Sequence, residues 1–348
     1  AKQEQQKMSS ILNSERIAMV AGKSGGHIVP GITYVARLLA NKKNIDFTIF
    51  TTTSSLDHKI LKNYEGVYSR HVCLTFGALP YGCWYKLPLT VWQLLRSFLH
   101  AFYVLHKTKP ELVVSMAGAV SLPVCMAAWL LRIPIDLFEL NAVPGRASSL
   151  LKRFAKRVNV CFESAAKFFG KKAFVCPYPV RFGSDTLDYD QESVRATLGL
   201  SANKKTVVLL GGSQGSKMLS SMLVEWARTL SGKHRQQVQI IHQVGNVDPE
   251  LIKQEYESLG IQALVFAQRH DLAPCYQAAD LIVCRAGAGT LFEVEFFGKP
   301  CVTVPLRAST TSHQVDNALA MHEKNIHLFS VCDEQSLCAA IGKQSLFT

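Results

Sequence analysis

Residues 16–31 have the sequence Arg16-Ile-Ala-Met-Val-Ala-Gly-Lys-Ser-Gly-Gly-His-Ile-Val-Pro-Gly31, and this stretch decides the fold. The apolar run 17–21 predicts a buried parallel strand, and the periodic segment 32–39 predicts a helix. The glycines between them predict a turn in which a ligand can approach the backbone closely, because no Cβ intervenes. A strand, a glycine turn and a helix form the unit that places backbone N–H groups against a ligand in α/β domains.

His27 stands directly after Gly25 and Gly26, at the mouth of the predicted turn. An imidazole titrates near neutral pH and could take a proton from a group that the turn binds. Alternatively, His27 caps the turn or the helix and has no chemical role. The glycine spacing matches neither the dinucleotide fingerprint nor the Walker loop, so the turn alone does not identify its ligand.

Size and composition describe a packed two-domain protein with an anionic partner. A chain of 348 residues is longer than one typical domain, so we expect two domains. Its content of 48% hydrophobic and 18% charged residues is typical of a globular protein. The net charge of +12 favours a phosphorylated substrate or anionic lipid over nucleic acid, for which no binding motif is present. The ten cysteines form no C-x-x-C pair, which favours free thiols in a reducing cytosol over disulfides or a zinc site.

The chain order predicts where the domains begin and end. Residues 1–9 are polar and rich in glutamine and lysine, without the apolar core of a signal peptide, and we expect a disordered tail over 1–15. The sequence shows no run of about 18 uninterrupted apolar residues, so we expect no transmembrane helix. The segment 175–181 carries two prolines, and strand–helix alternation restarts beyond it. We therefore expect a first domain over 16–176, a linker over 177–181 and a second domain over 182–348.

Alternating strands and helices in both halves predict an α/β fold with two parallel sheets. Ligands of such domains bind at the carboxyl ends of strands, so two facing domains predict a site in the cleft between them. This architecture suits a two-substrate transferase. After the last strand of the first half, we also expect a basic helix that carries Lys152, Arg153, Lys156 and Arg157.

Residues 76–106 are rich in aromatic and aliphatic side chains and leave two interpretations open. One is a loop followed by a core helix over 89–105. The other is an exposed apolar patch, flanked by lysines, that inserts into a membrane surface. The residues of this candidate patch are Phe76, Leu79, Tyr81, Trp84, Tyr85 and Leu87.

Three features of the second half would converge on a nucleotide diphosphate. The turn 211–215 offers backbone donors at a helix N-terminus, together with the side chains of Ser213 and Gln214, and the segment 286–290 offers a second such turn. Glu293 follows one helical turn later, where its carboxylate could bind both ribose hydroxyls or merely interact with the helix dipole. Because no Asp-x-Asp pair stands in a loop suited to holding a metal on the diphosphate, we expect helix N-termini rather than an obligatory metal to stabilise the leaving group.

The combination of motifs resembles the MurG family of bacterial glycosyltransferases, in glycosyltransferase family 28. The matching residues follow the family order across nearly the whole chain. They are 22–27 with Pro30 and Gly31, Glu139, 141–145, 179–181, 211–216, His242 with Gln243 and Gly245, Ala279 with Asp280, 284–290, Glu293, His313 with Gln314, and Asn317 with Ala318.

The resemblance implies the GT-B fold, two Rossmann-like domains separated by a deep cleft, with UDP-N-acetylglucosamine on the C-terminal domain. Arg269 would lie where the backbone meets the uracil, and Glu293 would hold the ribose diol. The diphosphate would meet the two glycine turns, and Gln314 with His313 would meet the sugar hydroxyls. The implied donor-binding residues are Arg181, Ser213, Gln214, Arg269, Ala288, Gly289, Thr290, Glu293, His313 and Gln314.

The same resemblance implies that the N-terminal domain binds lipid I, whose pyrophosphate would lie near Gly22, Ser24, Gly25 and Gly26. His27 would act as general base, with Asn141 close by, in an inverting transfer to the 4-hydroxyl of the acceptor sugar. The product would be lipid II, for peptidoglycan synthesis and hence cell shape and division.

The acceptor is anchored in the inner membrane, so the enzyme would bind the anionic cytoplasmic leaflet peripherally and could meet other proteins of wall synthesis. The implied cofactor requirement is none, with a divalent cation at most accessory.

Several residues depart from the family pattern. Lys23 replaces a glycine, Phe138 and Leu140 replace His and Gln, and Gly289 replaces a leucine. The segment 115–119, ending in Ala119, replaces a more glycine-rich turn that ends in tyrosine. The resemblance also implies that the family's final helix is missing from this sequence, whose last residue is Thr348.

These departures leave three alternatives. A related glycosyltransferase could use another lipid acceptor, such as diacylglycerol. A UDP-N-acetylglucosamine epimerase would act without an acceptor. A non-catalytic protein would bind the UDP-sugar without turnover.

Overall fold

The chain folds into two units, each built on a parallel sheet. The computed structural model describes residues 15–22, 25–40, 46–76, 85, 87–212, 215–306 and 313–344. Contacts within the chain divide it into Ala1–Arg181 and Phe182–Thr348. Helices connect most of the successive strands in both units. The predicted α/β class, with two Rossmann-like parallel sheets, is therefore confirmed.

The first unit has its described strands in one sheet. They are β1 (Arg16–Val20), β2 (Asp46–Thr52), β3 (Arg70–Leu74), β4 (Leu112–Ser115), β5 (Ile135–Glu139), β6 (Arg157–Val160) and β7 (Ala173–Val175). They pair in parallel in the order β3-β2-β1-β4-β5-β6-β7. The helices are α1 (Gly25–Leu39), α2 (Ser55–Lys62), α3 (Leu87–Thr108), α4 (Ser121–Leu130) and α5 (Arg146–Leu151). The strand order reverses between β1 and β4, beside which ligands of such sheets bind.

Helix α1 begins at Gly25, not near Ile32 as the apolar period predicts. Gly25 and Gly26 therefore belong to the first helical turn, although glycine is a poor helix former. Packing accounts for the close approach of this helix to the sheet. A Cβ on Gly31 would lie 2.5 Å from the Met19 sulfur and 2.7 Å from Met116 Cγ. A larger residue fits there only if the side chains of Met19 and Met116 move.

The second unit repeats the plan of the first. Its described strands are β8 (Lys205–Leu210), β9 (Val238–Gln243), β10 (Gln262–Phe266), β11 (Leu281–Cys284), β12 (Cys301–Thr303) and β13 (Phe329–Val331). They pair in parallel in the order β10-β9-β8-β11-β12-β13, which reverses between β8 and β11. Its helices are α6 (Gln191–Thr197), α7 (Lys217–Thr229), α8 (Gly232–Gln237), α9 (Pro249–Ser258), α10 (Ala273–Ala278), α11 (Ala288–Phe297), α12 (His313–Lys324) and α13 (Leu337–Gly342).

The predicted basic helix is wrong. Helix α5 ends at Leu151, so Lys152, Arg153 and Lys156 follow it, and Arg157 begins strand β6. The guanidinium of Arg157 forms a salt bridge with Asp136 on β5, at 2.5 Å. Lys152, Arg153 and Lys156 therefore belong to a loop. Arg157 belongs to a strand, where the Asp136 carboxylate holds its side chain.

No helix within the described ranges is long and apolar enough to cross a membrane.

Candidate active site

The first glycine turn lies at the carboxyl end of β1, beside the reversal of strand order in the first sheet. A Cβ on Gly22 would lie 3.0 Å from Thr52 Cγ2, 3.1 Å from Asp57 Oδ2 and 3.3 Å from Val120 Cγ1. Gly22 thus lets the loops after β1 and β2 and the start of α4 meet in one place. Lys23 and Ser24 lie outside the described residues.

His27 is half-buried in the first turn of α1, two residues after its start at Gly25. The free N–H groups of a helix N-terminus favour a negatively charged ligand. An imidazole in this turn is therefore next to the position at which a phosphate group would bind.

Glu139 organises the loop that carries Asn141. Its carboxylate is 2% exposed, and Oε1 accepts hydrogen bonds from the Asn141 N–H (2.9 Å) and Asn141 Nδ2 (3.1 Å). Oε2 accepts from the Gly145 N–H at 3.3 Å. Asn141 follows β5 and His27 follows β1, with β4 between the two strands, so their strands lie roughly 10 Å apart at the same edge. The sequence comparison includes Glu139 among the matching residues but does not predict this positioning role.

The second glycine turn, 211–215, follows β8 at the corresponding edge of the second sheet. Gly212 and Gly215 have φ of +79° and +73°, which favours glycine. A Cβ on Gly215 would lie 2.2 Å from the Val244 carbonyl oxygen, so the turn packs directly on the loop after β9. Ser213 and Gln214 lie outside the described residues.

Arg285 connects the turns that follow β8 and β11. Its Nη2 donates to Ser216 Oγ (3.0 Å), which itself accepts from the Leu219 N–H and caps α7. The same guanidinium donates to the Val304 carbonyl at 3.2 Å and forms an ion pair with Glu334 at 2.9 Å. Arg285 is a positioning residue that the sequence analysis does not single out.

Residues Ala288, Gly289 and Thr290 form the first turn of α11, and Glu293 lies in the next turn. The Tyr276 hydroxyl donates a hydrogen bond to Glu293 Oε2 at 2.7 Å. Tyr276 is itself buried, and its ring stacks on Phe297 at 5.1 Å between centroids. The carboxylate is therefore held at the N-terminal half of α11, beside the second glycine turn.

The remaining predicted donor residues lie on other loops. Gln314 and His313 begin α12, and Gln314 Oε1 accepts a hydrogen bond from the Leu306 N–H at 3.0 Å. Arg269 follows β10, and its Nε donates to the Asp271 carbonyl at 2.9 Å. Arg181 is the last residue of the first unit. The structure thus brings together the turns after β8 and β11, with Gln314 and Arg269 further along the same edge.

His242, at the end of β9, has no exposed surface and a structural role. Its two ring nitrogens lie 2.9 Å from Tyr256 Oη and 2.9 Å from Ser220 Oγ. Burial lowers the pKa of His242 to about 3, so the ring is neutral at pH 7. The hydrogen bonds of His242 therefore connect β9 to Ser220 on α7 and to Tyr256 on α9.

The predicted apolar patch needs correction. Phe76 is fully buried, and its N–H donates to Ser97 Oγ at 3.0 Å, so it belongs to the interior. Tyr85 and Leu87 are 77% and 45% exposed, while Leu79, Tyr81 and Trp84 lie outside the described residues. The predicted core helix is also only half right, because α3 exposes a large apolar face. Its exposed members are Leu87, Leu89, Val91, Trp92, Leu95, Leu99 and Tyr103.

Two family models match this chain. Residues 17–160 match the glycosyltransferase family 28 N-terminal domain, and residues 206–337 match the glycosyltransferase family 28 C-terminal domain. A protein of Halalkalibacterium halodurans, named UDP-N-acetylglucosamine--N-acetylmuramyl-(pentapeptide) pyrophosphoryl-undecaprenol N-acetylglucosamine transferase, is 31% identical over 89% of this chain and 84% of its own. A protein of the same name from Caldanaerobacter subterraneus is 31% identical over 93% of this chain and 88% of its own. The chain belongs to the MurG family.

Solved structures share the fold. MurG of Acinetobacter baumannii matches 94% of this chain and 88% of its own, with a TM-score of 0.69 and 24% identity. A Staphylococcus aureus structure described as MnaA with UDP has a TM-score of 0.62 at 12% identity, covering 94% of this chain and 87% of its own. Both likenesses support the GT-B fold.

The departures from the MurG family pattern divide between core and loop. Phe138 and Leu140 are buried, and the Phe138 ring packs edge-on against Tyr34 of α1 at 4.6 Å. Ala117, in the loop after β4, has φ of +59°, a strained conformation for alanine. Phe138 and Leu140 therefore belong to the interior, and the loop after β4 carries backbone strain at Ala117.

Proposed function

We propose that this chain is an inverting glycosyltransferase that moves N-acetylglucosamine from UDP-N-acetylglucosamine to the 4-hydroxyl of lipid I. The observation that carries the proposal is its 31% identity, over 89% of its length, to a transferase of that name. The turns after β8 and β11 and the Tyr276–Glu293 pair support the proposal, because helix N-termini favour a diphosphate and a carboxylate can accept hydrogen bonds from a ribose. Under this proposal Glu293 accepts hydrogen bonds from the ribose hydroxyls.

The proposed mechanism uses one base and two helix N-termini. His27 takes the proton of the acceptor hydroxyl as that oxygen bonds to the anomeric carbon from the face opposite the leaving group. The bond from the anomeric carbon to the diphosphate oxygen breaks, and UDP leaves with its negative charge. The N-termini of α7 and α11 stabilise that charge, so no metal ion is required on the diphosphate. Glu139 positions Asn141 beside the acceptor.

A transfer assay tests the proposal. Purified protein is incubated with UDP-N-acetylglucosamine labelled in its sugar, in separate reactions with a lipid I analogue, diacylglycerol or no acceptor. We expect labelled disaccharide lipid and UDP from the lipid I analogue alone, without added divalent cation. Transfer to diacylglycerol would assign a different acceptor, and epimerised UDP-sugar without an acceptor would assign an epimerase. UDP-sugar binding without any product would contradict catalysis.

We also propose that the exposed face of α3 binds the anionic cytoplasmic leaflet of the inner membrane. Because α3 joins the carboxyl end of β3 to the start of β4, its N-terminus lies at the same sheet edge as the first glycine turn. Trp92 and Leu99 are 61% and 57% exposed, and Arg96 lies between them. The net charge of +12 adds electrostatic attraction to anionic lipid.

Leu99→Ser tests this membrane proposal. Since burying one leucine is worth about 1.5–3 kcal/mol, we expect the substitution to weaken binding to vesicles of phosphatidylglycerol and phosphatidylcholine by roughly 10-fold or more. Leu251→Ser is the matched control, because Leu251 is 60% exposed on α9 of the second unit. Sedimentation of protein with the vesicles gives the partition coefficients. Equal losses from both substitutions would refute a specific role for α3.

A further inference from the structure

Three metal-ligating side chains meet at the edge strand of the first sheet, and none of them is a residue of the proposed mechanism. His71 and Cys73 are two residues apart on β3, so their side chains lie on the same face of the strand. His58 reaches them from α2, the helix between β2 and β3. Their ligand atoms all lie within 4.8 Å of one another. Their spacing along the chain matches no metal-binding motif, because the fold brings them together.

The distances fit one tetrahedral metal ion. Cys73 Sγ lies 3.6 Å from His71 Nε2 and 3.7 Å from His58 Nε2. In a tetrahedral zinc site, the usual metal–sulfur and metal–nitrogen bond lengths place sulfur and nitrogen ligands about 3.5 Å apart. The ligand atoms of His58 and His71 lie within 4.8 Å of each other, so side-chain movements that bring the two rings closer let a zinc-sized ion bind all three atoms. The ion would join α2 to the edge strand of the sheet.

The surroundings favour a cation. The buried Asp57 carboxylate, next to His58 in the chain, accepts hydrogen bonds from the N–H and Oγ1 of Thr52 at 3.1 and 2.5 Å. Thr51 Oγ1 lies 2.7 Å from His71 Nε2, and it also donates to the Thr52 carbonyl at 3.2 Å. When His71 Nε2 binds an ion, the Thr51 hydroxyl can keep this second bond. Metal binding thus leaves both groups with a partner: His71 Nε2 binds the ion, and the Thr51 hydroxyl donates to the Thr52 carbonyl.

We propose that His58, His71 and Cys73 form a binding site for a zinc-type divalent transition-metal ion. Two imidazoles and a thiolate select such ions over Mg²⁺ or Ca²⁺, which prefer oxygen ligands. The ion displaces the thiol proton of Cys73 into solvent. Because His58 is exposed, water completes the tetrahedron. This site holds a structural ion, and it is independent of the proposed sugar transfer.

Cobalt and zinc binding to the full chain, without a histidine tag, tests the site. The protein is stripped with a chelator and titrated with Co²⁺ alone, and Zn²⁺ is then added as competitor. We expect one equivalent of Co²⁺ to produce thiolate-to-cobalt charge-transfer absorption, which Zn²⁺ removes. Zn²⁺ should also raise the melting temperature of the stripped protein, because it binds the folded state.

Ligand variants decide between this site and non-specific binding. Cys73→Ser should abolish the charge-transfer band, and His58→Ala, at an exposed position, should weaken Zn²⁺ binding by at least about 10–100-fold. Cys332→Ser, a half-buried cysteine of the second unit, is the matched control and should change neither measurement. The proposal is overturned if the stripped protein shows no charge-transfer band. It is also overturned if Cys332→Ser reduces the band as much as Cys73→Ser.

Discussion

Replacing His27 with alanine is expected to lower kcat for N-acetylglucosamine transfer by about 10²–10⁴-fold, the usual contribution of a general base. The acceptor hydroxyl would then lose its proton to water during attack on the anomeric carbon. Because the donor-binding turns belong to the second unit, the KM for UDP-N-acetylglucosamine should stay close to that of the unaltered protein. Steady-state kinetics with both substrates saturating provide the measurement.

The control for this experiment is His327→Ala, at an exposed position in the second unit. It should retain full turnover. Alanine is a good helix former, so His27→Ala should leave α1 intact, and circular dichroism with a melting curve can verify this. Near-normal turnover of a folded His27→Ala protein would remove His27 from the mechanism. A large rise in donor KM with unchanged kcat would instead assign His27 to substrate binding.

The fold was predictable where a strand is long and buried. Segments such as β1 and β8 contain continuous apolar runs, because parallel strands are covered on both faces. The short strand β6 escaped prediction because its sequence is Arg157-Val-Asn-Val160 and its neighbours are basic. Its place in the sheet depends on the pairing of Arg157 with Asp136, which is distant in sequence.

The candidate site was predictable where the backbone itself requires a particular residue. A Cβ would overlap the Val244 backbone at Gly215 and would be crowded by side chains at Gly22, so both positions favour glycine and the turns are visible in the sequence. The hydrogen-bond partners that position the site residues were not predictable from the sequence. Tyr276 donates to Glu293, and Arg285 donates to Ser216, and both bonds join residues that are distant in sequence. Phe76 shows the converse limit. An aromatic residue next to lysine-flanked apolar residues predicts a surface patch equally well, and only tertiary packing buries it.

Arg195→Met should destabilise the second unit by about 3–5 kcal/mol, the usual cost of removing one partner of a buried ion pair. Arg195 is 6% exposed, and its Nη2 lies 2.5 Å from Asp280 Oδ2. Its Nε and Nη2 also donate to the Ala278 carbonyl at 3.1 and 3.0 Å, at the end of α10. The Asp280 carboxylate accepts the Thr206 N–H at 2.7 Å, so the network connects α6, α10 and β8.

This network also supports the donor site, because α10 carries Tyr276, the hydrogen-bond donor to Glu293. Hydrogen exchange measured by mass spectrometry separates the second unit from the first. In Arg195→Met, the amides of β8 and α10 should exchange faster, and those of β1 should be unchanged. Arg228→Met is the control, since the Arg228 pairs with Glu225 and Glu255 are solvent-exposed and should contribute about 0–1 kcal/mol.

A double variant separates the two causes of the loss. Among the described residues, Arg195→Met leaves the largely buried Asp280 carboxylate with only the half-exposed Lys205 ammonium, at 3.9 Å, as an ion-pair partner. Asp280→Asn removes that charge while keeping an acceptor for the Thr206 N–H. Arg195→Met with Asp280→Asn should therefore be more stable than Arg195→Met alone. If Arg195→Met costs no more than Arg228→Met, the network does not stabilise the second unit. If the double variant is less stable than Arg195→Met, Lys205 compensates the carboxylate and the lost bonds to the Ala278 carbonyl carry the effect.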